Sequence, residues 1–466
     1  MKIIALFLTI FAVSSFALPI VLEENVHRNA VADSVFTIRF ESNLPFWQAH
    51  NFFVRTKIGG LVYDGDFNTR FIAYFGDSIG GQHLNFVASA FLDNKAVHGQ
   101  MLDWVKPGKG HDTNERVSID MYRIMLNFTP NEHILIGMGK DYYNWGPSQL
   151  GGLMLSDYNM GFVGLYQQYK LAGFTIRGLA TQLSSSNWGA RTTPTPEHRF
   201  FSAGRIEYYR ERWGMALSQS MIYAGQNRSF EIPYLIPVFP YHYVQISSWR
   251  YGNNGENSAG GVDAYVNFLD KNLELYGEFF VDDIQGDTDE RSQSVQNALA
   301  FVAGTKFNIP NIAYGFFEAG QINSFVYNHI AGYSMKFLNK DAFIASPLGP
   351  DNQLFWGKLG HDFKNIPLKA ELYGWLLRQG ERDINYNIKE EIGWFQGTRS
   401  HNIPFGNVKR ETATWASAIY EHKHNTFELY GGVSVTETEK ISGSKKANPF
   451  IGFSLNAAIG IGWDKK

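Results

Sequence analysis

A chain of 466 residues without a cysteine has no disulfides to lean on, so its stability must come from a large ordinary core or from a sheet with no free edges. Its formal net charge of −3 gives no basic surface on which nucleic acid would be expected as a partner. The 37 Phe, 24 Tyr, 11 Trp and 46 Gly suit strands and turns better than a helical enzyme.

Lys2, an apolar run over 3–13 and the small-residue stretch Ser14, Ser15, Phe16 and Ala17 have the order of a secretory signal peptide, with cleavage expected after Ala17. The run is shorter than the roughly 18 to 20 apolar residues of a spanning helix, which argues against an uncleaved anchor. Further on, Asp, Glu, Lys, Arg or Asn interrupts every apolar run before it could span a bilayer as a helix. A chain of this kind in a membrane crosses as strands, and only a closed barrel does so without leaving backbone groups unpaired in lipid. The expected division is a signal peptide over 1–17, a short periplasmic segment over 18–45, and a barrel over 46–466.

Period-2 alternation predicts strands at 50–60, 68–76, 83–93, 116–128, 132–139, 160–169, 174–183, 200–210 and 213–222. It continues at 260–269, 272–281, 297–308, 311–320, 352–363, 367–377, 408–421, 425–434 and 448–463. The fold class is therefore all-β: an antiparallel transmembrane barrel of about 18 strands, with 16 as the alternative. Short turns such as Asp270 to Asn272 and His422 to Asn425 alternate with long connections in strict order, as periplasmic turns alternate with outer loops. The long connections, 94–115, 140–159, 184–199, 223–259, 282–296, 321–351, 378–407 and 435–447, are expected outside the cell or folded into the lumen.

Each strand has an oily and a watery face. Leu273, Leu275, Phe279 and Val281 alternate with Glu274, Tyr276 and Glu278; Leu368, Ala370, Leu372 and Leu376 alternate with Lys369, Glu371, Tyr373 and Trp375. In the last strand Ile451, Phe453, Leu455, Ala457, Ile459, Ile461 and Trp463 share one face. A soluble sandwich also alternates, but strands of about ten residues fit a tilted barrel.

Gly76-Asp77-Ser78-Ile79-Gly80 matches G-x-S-x-G, the exposed-serine elbow of hydrolases. No helical pattern follows, so the segment reads as a polar turn. Asp282, Asp283, Asp287, Asp289 and Glu290 crowd together without calcium-loop spacing, and no close His pair appears, so no metal or cofactor is expected. Sugars present C–H faces and hydroxyls, and their sites combine flat rings with carboxylate, amide and guanidinium groups. Trp145 with Asp141, Tyr142 and Tyr143, Trp188 with Arg191, Trp249 with Arg250, and Trp394 with Glu390, Glu391 and Arg399 have that make-up. Each Trp has an alternative reading as a girdle or lumen-packing ring.

Gly139-Lys140-Asp141-Tyr142-Tyr143-Asn144-Trp145-Gly146-Pro147, followed by Leu153-Met154-Leu155-Ser156, resembles a signature of the Wzi family of capsule assembly proteins. His198-Arg199, Arg205 to Tyr209, Gly214 and Tyr234-Leu235-Ile236-Pro237 resemble a second block of that family. The resemblance covers about 135–245. It implies a non-enzymatic outer-membrane lectin, an 18-stranded barrel holding capsular or exopolysaccharide, with family-motif positions at Gly139, Trp145, Gly146, Pro147, Leu155, Ser156, Arg205, Tyr234 and Pro237. It also implies an N-terminal helical plug, for which the segment 18–45 is too short. Expected partners are surface polysaccharide, outer-membrane lipid and lipopolysaccharide, and the barrel-insertion machinery, for a monomer in the bacterial outer membrane. A porin or polysaccharide exporter is the alternative, since Glu274, Glu278, Lys369 and Glu371 would suit a wet lumen. An outer-membrane hydrolase using Ser78 is the third class.

Overall fold

The computed structural model describes residues 37–38, 49–63, 66–80, 83–93, 118–157, 161–184, 198–250, 255–283, 297–329, 333–339, 342–384, 386, 403–422, 425–439, 441 and 444–464. The expected signal peptide, 1–17, and most of the expected segment 18–45 lie outside these residues. The main sheet has nineteen strands, of which one is the two-residue Thr37–Ile38 segment, paired parallel with Gly460 and Ile461. The other eighteen are β1 (Ala49–Tyr63), β2 (Asp66–Gly80), β3 (Leu84–Asp93), β4 (Ser118–Asn131), β5 (Ile134–Asp141) and β6 (Phe162–Leu171). Then come β7 (Phe174–Leu183), β8 (His198–Tyr209), β9 (Trp213–Gly225), β10 (Glu256–Phe268), β11 (Leu273–Asp283) and β12 (Ala298–Ile309). The last six are β13 (Ala313–Ile322), β14 (Asn352–Phe363), β15 (Leu368–Gln379), β16 (Lys409–His422), β17 (Asn425–Thr438) and β18 (Lys446–Asp464). Every expected strand has its counterpart here, so the sixteen-strand alternative is set aside.

Consecutive strands pair antiparallel, and β1 pairs with β18 from Ala49↔Asp464 to Tyr63↔Phe450. Each of the eighteen thus has a neighbour on both edges, which leaves no row of open N–H and C=O groups. Alternation along the strands sets the two faces. Leu275, Phe279, Phe317, Phe355, Leu372, Leu429, Ile451 and Leu455 are exposed, whereas Asp263, Glu278, Glu318, Glu371 and Ser454 are buried inside. Apolar exposure on strand after strand exceeds what a soluble monomer carries, and a hydrocarbon surround removes its cost.

Two expectations need correction. Strict alternation of turn lengths fails at the first hairpin, where only two residues separate Tyr63 from Asp66 at the loop end. Gly76 to Gly80 is not a turn: Ser78 lies in β2, paired with Asn51 on one side and Val87 on the other. A serine held on both edges by a ladder has no nucleophile elbow around it.

Candidate functional site

The connection after β5 turns inward. Trp145, Leu153, Met154 and Leu155 join one buried cluster with inward-facing wall residues, among them Leu179, Phe201 and Phe280. This segment crosses the lumen because the opposite wall offers it two carboxylates. Glu278 on β11 accepts the Ser148 N–H at 2.7 Å and the Leu153 N–H at 2.8 Å. Glu318 on β13 accepts the Gln149 N–H at 2.8 Å, the Ser148 hydroxyl at 3.0 Å, the Tyr276 hydroxyl at 2.8 Å and the Trp356 indole N–H at 3.0 Å. Irregular backbone inside a barrel needs such acceptors, because its own N–H groups have no ladder partner.

Gly146 fixes the approach. Its φ is +128°, and a Cβ there would stand 2.2 Å from Glu278 Oε1, so only glycine lets the chain come down onto that carboxylate. Within the segment, Trp145 N–H donates to Leu155 O at 2.9 Å and Gly152 N–H to Asn144 Oδ1 at 2.7 Å. The Trp-Gly-Pro and Leu-x-Leu-Ser blocks are thereby the two arms of one clamp.

The loop between β13 and β14 closes over this clamp. Tyr327 donates its N–H to Asp282 at 2.6 Å and its hydroxyl to Leu153 O at 2.8 Å, and the Ser156 N–H reaches Ile344 O at 3.0 Å. Arg199 on β8 ties the loop to the wall, donating to Ser334 O and Lys336 O at 2.8 Å and to Ser184 O at 3.1 Å. Burial pushes the Tyr327 hydroxyl well above its ordinary pKa and pulls the Lys336 ammonium below its own, while that ammonium donates to Ile384 O. Asp351 joins this loop to the next, accepting the Ser324 hydroxyl at 2.9 Å, the Arg382 N–H at 2.9 Å and the Phe405 N–H at 3.0 Å. Burial raises its carboxyl above the usual range in spite of these donors. The Arg382 guanidinium lies 3.6 Å from the centroid of the Phe405 ring.

The expected site residues are distributed unevenly over this arrangement. Asp141, Tyr142 and Trp145 are buried, Asp141 paired with Arg123, and Tyr143 stacks on Tyr166 at 4.9 Å between centroids. With 5% of its surface exposed, Trp145 offers no ring face for a sugar, and packing of the lumen takes the place of stacking. Trp188, Arg191 and Trp394 lie outside the described residues, as do Asp287, Asp289, Glu290, Glu390, Glu391 and Arg399. Trp249 and Arg250 end a helix whose last side chains are likewise outside them.

Of the family-motif positions, Gly139 lies within β5, Gly146, Pro147, Leu155 and Ser156 belong to the clamp, and Arg205 is buried in the inner wall, where it donates to Asp263, Glu207, Ser218 and Tyr209. Tyr234 and Pro237 pack on the outer face of the wall. That corrects the expectation that the 223–259 connection is extracellular or folded into the lumen: two outward-facing glutamines, Gln167 and Gln219, capture its backbone carbonyls. Glu278 was expected to suit a wet lumen, and instead anchors the clamp. Glu318, Asp351 and the tethering role of Arg199 were not anticipated; the sequence signal for Glu318 is a single acid at an inward position of its strand. Among the described residues no group of His, Asp or Glu could hold a metal ion.

No protein-family model and no curated protein sequence matches this chain. Solved structures do. One is Wzi of Escherichia coli, described as an outer-membrane protein involved in group 1 capsule assembly and a carbohydrate-binding β-barrel. It is 13% identical, with 87% of this chain and 84% of that one covered and a TM-score of 0.55. OprD of Pseudomonas aeruginosa is 7% identical over 92% of this chain and 98% of its own, at a TM-score of 0.50. OccD3 (OpdP) of the same organism is 11% identical over 92% and 96%, at 0.51. The fold is therefore that of bacterial outer-membrane β-barrels. At these identities the likeness to Wzi, as to the two Pseudomonas barrels, is one of fold.

Proposed function

We propose that this protein is a plugged outer-membrane barrel of the Wzi family that binds capsular or exopolysaccharide at the cell surface and makes or breaks no bond. The observation that carries the reading is the clamp on Glu278 and Glu318 together with residues of the loop between β13 and β14: they pack apolar side chains inside the barrel, which supports a plug over the wet path of a transport barrel. The order of Trp145-Gly146-Pro147 and Leu155-Ser156 supports the family, since these residues form one device. The carbohydrate-binding Wzi of Escherichia coli supports the ligand class. On this reading a cleaved signal exports the chain, lipid and lipopolysaccharide surround it, the insertion machinery places it, and it works as a monomer without cofactor.

Glycan is held by loops at the outer end. Trp188 with Arg191, Trp249 with Arg250, and Trp394 are the stacking candidates. The competing reading, a porin, draws on OprD and OccD3 and on the charged inner wall below the clamp, where Lys306 pairs with Glu274 and Lys358 with Glu371, both at 2.8 Å. Planar-bilayer recording separates the two. The binding reading expects a closed barrel without steady conductance and, on deletion of the gene, less polysaccharide retained on the cells. A large, steady open channel together with unchanged surface polysaccharide would favour the porin.

A further inference from the structure

The connection between β9 and β10 carries two helices, α1 (Ile232–Leu235) and α2 (Tyr241–Arg250), and it lies against the outside of the barrel. The parity of the strands establishes this. Phe200, Ser202 and Gly204 share the face of exposed Ile206 on β8, and Gln219, Met221 and Tyr223 share the face of exposed Leu217 on β9. Tyr234 and Tyr241 pack on that outward face, with Tyr234 4.7 Å from Tyr223 between centroids, and Phe230 is 4.9 Å from Phe200. Pro237 comes so close that a Cβ on Gly204 would stand 2.0 Å from its carbonyl oxygen.

The segment from Arg228 to the end of α2 is graded along its length. Its described charged side chains are at the rim, where Arg228 bridges Glu231 and Glu256 at 2.6 and 2.9 Å beside Tyr223. Its tip, Ile236-Pro237-Val238-Phe239-Pro240, has no charge and reaches Gln219, midway along β9. Outward from it, Ile232, Ile236, Val238, Phe239, Tyr243 and Ile246 are exposed, continuous with the bare apolar wall at Ile206 and Leu217.

Four of the five backbone carbonyls of the tip, those of Ile236, Pro237, Phe239 and Pro240, are paired within the protein. Gln219 donates to Pro237 O at 3.1 Å and Phe239 O at 2.6 Å and accepts the Tyr241 N–H at 3.0 Å; Gln167 donates to Leu235 O at 2.9 Å. The Phe239 N–H reaches Ile236 O at 3.0 Å, and the prolines at 237 and 240 have no N–H to satisfy. A loop in water has no need of this provision, because water pairs its carbonyls; a loop in hydrocarbon cannot do without it.

We propose that this segment is a membrane-embedded strap, its tip seated among the acyl chains at mid-height of the barrel and its exposed side chains taking over the lipid contact of the wall they cover. The proposal rests on the barrel being seated in a membrane. The test exploits the absence of cysteine: Val238→Cys on the tip and Leu217→Cys on the bare wall, each spin-labelled in the full chain reconstituted in liposomes. Both side chains are exposed, and retention of the folded, heat-modifiable band on gels checks each variant.

Collisional relaxation by oxygen, which concentrates in lipid, and by a water-soluble nickel chelate then reads the surround. The strap predicts that both labels are relaxed by oxygen and protected from nickel. A Leu217 label in lipid with a Val238 label open to nickel overturns the strap while leaving the barrel in place. A Leu217 label open to nickel removes the membrane reading itself. A Val238 label shielded from both reagents, in particles of twice the expected mass, overturns lipid as the occupant in favour of a second copy.

Discussion

Gly146 and Trp145 are adjacent, and their roles follow from different physics. At Gly146 a methyl group would meet both a φ of +128° and the Glu278 carboxylate, so Gly146→Ala should lower stability by more than the roughly 1 kcal/mol usual for an added Cβ at positive φ. The midpoint of heat-induced loss of the folded band checks this, and an unchanged midpoint would contradict the clamp. Trp145→Ala removes a buried ring and should cost about 3–5 kcal/mol of stability with little effect on glycan affinity in the fraction that folds. Trp188→Ala and Trp394→Ala should do the reverse, each weakening affinity by about 1 kcal/mol, or roughly fivefold, at unchanged stability. Measuring melting and binding on all three variants separates packing from stacking. The make-up of the Trp145 neighbourhood, with its carboxylate, amide and phenols, could not announce which role it plays. Aromatic rings beside polar groups suit a buried clamp as well as a sugar site, and the deciding acceptor, Glu278, lies 130 residues from Ser148.

At the scale of elements, the inward-folded loops hang on charged acceptors. Replacing Glu318 by Ala strands the Gln149 N–H, the Tyr276 hydroxyl and the Trp356 indole N–H in a buried setting, at about 2–3 kcal/mol. The clamp should then open intermittently. Bilayer recordings of Glu318→Ala, alone and with Glu278→Ala, should show brief conductance events absent from the parent protein. Silence in both variants would mean that the 323–351 loop closes the lumen unaided. The strands themselves were readable because period 2 is a local property, as in β15, where Leu372 faces out and Trp375 faces in. The destination of a loop is set by distant partners. The 223–259 connection has the length of an outer loop, and only the pairing register shows that Gln167, Gly178, Gly204 and Gln219 form one outward row on which it rests.

For the molecule as a whole, a ring of strands around a packed interior joins two kinds of stability. The ladder leaves no edge to pair with another chain, and the interior is an apolar cluster of loop and wall side chains. The last strand shows how far the sequence carried. Its alternation predicted a strand that pairs with the first, and Ala49↔Asp464 to Tyr63↔Phe450 is that seam, while nothing in it bears on ligand. On the proposed reading, function depends on what the outer ends of the loops hold, and the clamp on Glu278 and Glu318 is compatible with binding there.

The most direct measurement is a titration of the folded, detergent-purified protein with polysaccharide extracted from the surface of the cells that produce it, beside an unrelated glycan. Saturable binding to the cells' own polysaccharide is expected, weakened in Trp188→Ala and Trp394→Ala and preserved in folded Trp145→Ala. Absence of binding by the folded parent protein to its own polysaccharide would contradict the proposed function.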